Sequence, residues 1–267
     1  MLEEREISIQ TDSIRIAYEG KQIVDKLTLA IPKGKITAII GPNGSGKSTI
    51  LKALGRILKP KQGRIFLNGV DLHQIKTKEC AKQLAILPQS PQAIAQLTVE
   101  DLISYGRYPH KKGIGRLTAA DWEVIEWAMT VTRLTDIRQA EVNALSGGQR
   151  QRVWIAMALA QKTELILLDE PTTYLDLSYQ LELLQLLAHL NADYQQTIVM
   201  VLHDLNLAAR FSDYMIAVHE GKVNCHGSPC EVLTPETLAA VFQIDAEVIQ
   251  NPRTGTPMCV TYDLLPE

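Results

Sequence analysis

The stretch Gly41-Pro42-Asn43-Gly44-Ser45-Gly46-Lys47-Ser48-Thr49 constrains this chain more than any other. The short apolar run Ile36–Ile40 precedes it, and a helical pattern, Ile50-Leu51-Lys52-Ala53-Leu54, follows. Strand, glycine-rich loop and helix in that order are the setting of a phosphate-binding P-loop. The glycines let successive N–H groups curl around an anion, and the helix N-terminus adds partial positive charge. In this register Lys47 reaches the β- and γ-phosphates, and the Ser48 hydroxyl is placed for Mg²⁺. The loop predicts a nucleoside triphosphate site.

The 267 residues, 46% hydrophobic and 21% charged, have the makeup of a soluble globular protein with room for one large α/β domain. A net charge of −3 and the lack of a dense Lys/Arg block argue against a nucleic-acid partner. Cys80, Cys225, Cys230 and Cys259 form no CxxC pair and no disulfide-framework spacing, so reduced thiols are expected. Cys225, His226 and Cys230 are a weak candidate for a metal. The acidic start, Met1–Glu6, has no apolar segment of a signal peptide. No stretch approaches the ~18 uninterrupted apolar residues of a membrane span. Work at a membrane would need another polypeptide to hold this one there.

Along the chain, residues 7–10, 14–18, 27–31 and 36–40 read as short strands, with turns at Glu19-Gly20 and Pro32–Gly34. Residues 63–69 read as a strand and turn, and Leu84–Gln89 as a strand running into a loop. Thr98–Asp101 and Thr118–Asp121 are capping boxes ahead of helices, opening a mainly helical stretch. Leu165–Leu168 and Thr197–Leu202 lack polar alternation, as central parallel strands buried on both faces do. Between them Leu183, Leu186, Leu187 and Leu190 form a helical core stripe. Alternating strands and helices with phosphate chemistry at strand ends predict a parallel α/β sheet.

Asp169 and Glu170 leave a buried strand together, just before Pro171. In a P-loop protein the first carboxylate there helps hold Mg²⁺, and the second is placed to deprotonate an attacking water. Ser146 is a natural N-cap whose helix starts with Gly147-Gly148-Gln149, leaving first-turn amides uncovered. That is either an ordinary cap with a glycine turn or a second anion site. Tyr18 is either a platform for a base or a half-buried strand residue, and the spacing leaves both open.

The order Tyr18, Gly41–Thr49, Gln89, Leu145–Gln149, Leu165–Pro171, Leu175-Asp176, His203 resembles the nucleotide-binding subunit of an ABC transporter, and the resemblance spans essentially the whole chain. It implies a P-loop NTPase with a RecA-like parallel sheet core, an N-terminal antiparallel β subdomain and a helical insert. The expected division is a core over 1–88 and 162–235, an insert over 89–161, and a short extension over 236–267. It also implies a homodimer in which each ATP lies between one copy's P-loop and the other's Ser146–Gln149. In such a pair Tyr18 stacks on adenine, Gln89 senses Mg²⁺ and water, Asp176 lies at the seam, and His203 contacts the γ-phosphate.

The stretches Tyr105–His110, Asp169–Asp176 and Val201–Leu207 look like ATPases of iron–siderophore, haem and vitamin B12 importers, and the tail Gly255–Cys259 is similar to ferric-siderophore members. The resemblance therefore implies an ATPase that binds a membrane permease peripherally at the cytoplasmic face, in a system that also uses a substrate-binding protein. The rival readings are import of haem, vitamin B12 or a metal ion, and a non-transport ATPase scaffold.

Overall fold

A computed structural model describes residues 6–18, 21–89, 96–111 and 116–265, without the side chains of Tyr18 and Lys21. The N-terminal part comprises β1 (Ile7–Tyr18), β2 (Lys21–Pro32), β3 (Ile36–Ile40), α1 (Lys47–Leu54), β4 (Gln62–Leu67), β5 (Val70–Asp71), α2 (Thr77–Cys80) and β6 (Leu84–Leu87). Then come α3 (Val99–Ser104), α4 (Ala119–Val131), α5 (Gly147–Ala160), β7 (Leu165–Leu168), α6 (Leu177–Tyr194), β8 (Thr197–Val201) and α7 (Leu205–Phe211). The chain continues through β9 (Tyr214–His219), β10 (Lys222–Gly227), α8 (Pro229–Val232), α9 (Pro235–Phe242), β11 (Ile244–Gln250) and β12 (Pro257–Leu264).

A six-stranded sheet runs in the order β10-β9-β3-β8-β7-β6. Its neighbours pair in parallel from β9 to β6, while β10 is an antiparallel edge. The strands β3, β7 and β8 are buried at every position, which is why their sequences show no alternation. Alternate side chains nevertheless divide between two cores. Ala38, Ile40, Ile166, Leu168, Ile198 and Met200 face one, and Ile39, Leu165, Leu167, Val199 and Val201 the other. The helices α3, α4 and α5 add their apolar faces to the first core, and α1 with the antiparallel sheet β2-β1-β4-β5 fills the second.

One expectation needs correction. The segments 7–10 and 14–18 are one strand, β1, and the strand expected from Leu27 already begins at Lys21. Register slips after Thr11 and again after Ile14, with Ser13 at φ 49° and Lys26 at φ 48°. These compensating bulges interrupt the period-2 pattern, which is why the strand reads as two shorter segments, 7–10 and 14–18. The residues expected as a short extension, 236–267, include β11 and β12. These strands form a hairpin tied to α7, where the Asn206 amide donates to the Cys259 carbonyl (3.0 Å) and accepts from the Cys259 N–H (2.8 Å). No helix among the described residues is long and apolar enough to cross a membrane. Among them Cys225, His226 and Cys230 also assemble no metal-binding group.

The expected capping boxes are present at Thr98/Asp101 and Thr118/Asp121. Asp121 also receives the Arg107 Nε–H at 2.9 Å, in an ion pair with side chains only 8% and 10% exposed, while Arg107 Nη1 donates to the Ala160 carbonyl at 2.9 Å. One guanidinium thus joins the start of α4 to the end of α5. Arg107→Ala should cost about 3–5 kcal/mol in urea unfolding, because it strands a buried carboxylate. Burial alone would raise the Asp121 carboxyl, but hydrogen bonds from Thr118 and Arg107 and the guanidinium's charge hold it down to about 2. With the folded value depressed, the contribution is complete above the ordinary value of 3.8 and disappears as pH falls through about 2. An acid titration of native protein should lose roughly 2 kcal/mol over that window. Asp121→Asn should lack this part of the acid dependence.

Candidate functional site

Three neighbouring strands of the parallel sheet, β3, β8 and β7, release the chain on the same edge. Gly41 follows β3, Asp169-Glu170 follows β7, and His203 comes just after β8. Ligand sites of open α/β sheets form at these carboxyl ends. The Asp169 N–H also donates to the Leu87 carbonyl (3.0 Å), aligning the end of β6, and with it Gln89, beside Glu170.

The loop 41–49 turns where only glycine fits. A Cβ on Gly41 would lie 2.1 Å from the Val218 carbonyl oxygen, and the φ of 152° is unfavourable for side chains. Gly46, at φ 100°, stands at the N-cap of α1 and offers no side-chain cap, so first-turn amides stay open to an anion. Asn43 and Gly44 are exposed at the loop tip, while Ser45 is buried with its hydroxyl unpartnered among the described residues. Pro42, Ser48 and Thr49 are half-buried.

Lys47 is buried, and its ammonium donates to the Gly41 and Pro42 carbonyls at 2.8 Å each. Burial lowers its pKa, against the opposing pull of Glu170 and Asp169. A desolvated cation held only by carbonyls fits an incoming phosphate.

The Ser48 hydroxyl donates to Asp169 Oδ1 at 2.8 Å, and Asp169 is only 3% exposed. Burial raises that carboxyl, with the Ser48 hydrogen bond and nearby lysines opposing. Two hard oxygen donors on a buried anion suit Mg²⁺. Glu170 sits at φ 51°, a left-handed turn that swings its carboxylate back over the strand ends. Its Oε1 lies 2.7 Å from His203 Nε2, and its Oε2 accepts from Gln89 Nε2 at 2.5 Å and Thr173 Oγ1 at 3.1 Å. Burial would raise this carboxyl too, but the hydrogen bond and charge of His203, with Thr173 and Gln89, leave its pKa lowered. A carboxylate kept ionised within this ring of donors can accept a proton from water. Asp204, next in the chain after His203, caps α7 by accepting the Leu207 N–H at 2.8 Å.

Ser146 caps α5 in a full capping box, accepting the Gln149 N–H at 3.3 Å while Gln149 Oε1 accepts the Ser146 N–H at 3.1 Å. Asp176 caps α6, accepting the Tyr179 N–H (3.0 Å) and the Ser178 hydroxyl (2.9 Å), and these bonds lower its pKa. Among the described residues no hydrogen bond or ion pair joins Ser146–Gln149 or Asp176 to the loop 41–49 or to Glu170. Lys47, Ser48, Gln89, Asp169, Glu170 and His203 are thus brought to one edge, while Ser146–Gln149 and Asp176 belong elsewhere in the chain's own bonding. Tyr18 ends β1, and its side chain lies outside the described ones. Sequence reasoning missed Thr173, whose only signal was its place between the acidic pair and Asp176. It also missed the capping role of Gln149, although the Ser-x-x-Gln spacing announces it.

The model of the ABC transporter family matches residues 24–173, which include the loop, Gln89, Ser146–Gln149 and the acidic pair. The chain belongs to the ABC transporter ATPase family. The iron(3+)-hydroxamate import ATP-binding protein of Bacillus subtilis (strain 168) is 56% identical over 258 residues, 97% of this chain and 96% of the relative. A metal-chelate type ABC transporter solved in an inward-facing conformation superposes with a TM-score of 0.82 at 29% identity, over 96% of this chain and 97% of that one. A dimeric ATP-binding cassette in a post-hydrolysis state with ADP and Pi superposes at 0.72 and 28% identity, over 82% of this chain and 98% of that one. This ABC transporter ATPase thus has the α/β P-loop fold and the nucleotide chemistry expected from its motifs.

Proposed function

We propose that this ATPase powers uptake of an iron–siderophore complex, bound to the cytoplasmic face of the membrane through a permease that receives cargo from a substrate-binding protein. The cargo reading rests on the near full-length 56% identity to an iron(3+)-hydroxamate import subunit. The mechanistic reading rests on one observation: an ionised Glu170, ringed by Gln89, Thr173 and His203, stands beside the Lys47 and Ser48 edge. Glu170 takes the proton of the attacking water, and Gln89 orients that water. Both Glu170 oxygens have side-chain donors, so an attacking water shares or replaces one of them. His203, 43% exposed, is free to turn from Glu170 to the γ-phosphate. Lys47 leaves its carbonyls for the β- and γ-phosphates, and Tyr18 stacks on adenine. Mg²⁺ held through Ser48 and Asp169, with Gln89 close by, would neutralise charge on the phosphate oxygens.

Ser146–Gln149 and Asp176 of a second copy complete each pocket, which explains a well-capped helix N-terminus with no bond to its own P-loop. ATP then favours the closed pair, because only that state offers both halves of the site. Closure moves the inserts, 89–161, against cores 1–88 and 162–235, with the permease as load and the extension 236–267 outside the pocket. A strain lacking this chain should fail to take up radiolabelled iron hydroxamate. Native protein should restore uptake and Glu170→Gln should not. Native uptake without the chain, or restored uptake of haem alone, would overturn the cargo assignment.

A further inference from the structure

The two glycines that open α5 are there for different reasons. A Cβ on Gly147 would meet nothing within 4 Å, whereas one on Gly148 would lie 2.9, 3.1 and 3.3 Å from Cδ1, Cγ and Cε1 of Tyr179. Gly148 is buried within the helix and is not among the positive-φ residues, so it is the Tyr179 ring, not backbone geometry, that would have to shift for a side chain. One turn further along α5, the Arg152 guanidinium stands over the same ring, 5.7 Å from its centroid, and pairs with Glu182 one turn along α6. At its other end Tyr179 is joined to the acidic segment, since its N–H donates to Asp176 at 3.0 Å, six residues past Glu170. The Tyr179 hydroxyl makes no hydrogen bond among the described residues, so the contact is made by the ring itself.

We propose that Tyr179 is a positioning residue for ATP hydrolysis, holding the first turn of α5 in register with the segment from Glu170 to Asp176. This rests on the reading that Ser146–Gln149 faces the partner's γ-phosphate. Under it, Tyr179 fixes where one site's acidic segment stands relative to the helix end that completes the other site. Anion stabilisation by amides and a hydroxyl is steep in position, and a displacement of about 1 Å can cost as much as 10²-fold.

The test uses the full-length chain and compares Tyr179→Ala, Tyr179→Phe and Ser146→Arg, with thermal unfolding to verify that each folds. Tyr179→Ala should lower kcat by about 10- to 100-fold while a fluorescent ATP analogue still binds the single chain with native affinity. Tyr179→Phe should restore native kcat, because it keeps the ring. Gly148→Ala should reduce turnover in the native background and much less in Tyr179→Ala, where its methyl has room. Native kcat in Tyr179→Ala alongside an inactive Ser146→Arg would overturn the role of Tyr179 and leave the composite pocket standing. Native kcat in both variants would remove the composite pocket, and this role with it.

Discussion

Glu170→Gln should lower ATP turnover by about 10²- to 10⁴-fold, the range a positioned general base supplies, while ATP still binds. The amide keeps the size and planar shape of the carboxylate, so Thr173 still finds an acceptor and the turn at φ 51° is unchanged. What disappears is the negative charge shared by the two oxygens, of which Oε1 lies 2.7 Å from His203 and Oε2 accepts from Gln89 at 2.5 Å. Single-turnover measurement of phosphate release, beside equilibrium binding of ATP, separates the two steps. Full turnover in this variant would rule Glu170 out as the base.

Lys47→Met should abolish hydrolysis and weaken ATP binding, yet leave the nucleotide-free protein as stable as the native one or more so. The ammonium is buried among backbone carbonyls with its pKa lowered by desolvation, which is an unfavourable place for a cation without an anion. Methionine fills the same channel with an apolar chain of similar length, as in other replacements of buried charge by hydrophobic residues. Native protein should recover the difference when ATP is added, by mass action. Thermal unfolding with and without ATP measures both halves. A variant clearly less stable than native protein without nucleotide would show that Lys47 supports the loop instead of waiting for phosphate. Retained hydrolysis would refute the phosphate assignment.

Local chemistry made much of this legible in the sequence. The loop 41–49, the acidic pair after Leu165–Leu168 and the three helix caps each depend on residues within a few positions of one another, and all appear where the pattern placed them. The edge-forming logic of β3, β7 and β8 was visible as continuous apolar runs. Less visible were features settled by distant partners. Gln89, Thr173 and His203 converge on Glu170 only because neighbouring strands end together, so motif order alone could hint at that ring of donors but not assemble it. The bulges of β1 and β2 hid two long strands behind a broken alternation. Gly148 read as part of a glycine turn or of an anion site, while the ring that crowds it, Tyr179, lies on a different helix.

A sedimentation experiment on Glu170→Gln asks most directly whether a second copy closes each ATP pocket. With saturating ATP the protein should sediment at twice the mass of one chain, return to a single chain when ATP is removed, and remain single at any ATP concentration once Ser146→Arg is added. A Glu170→Gln protein that holds ATP and stays a single chain, or a pair indifferent to Ser146→Arg, would contradict the composite pocket.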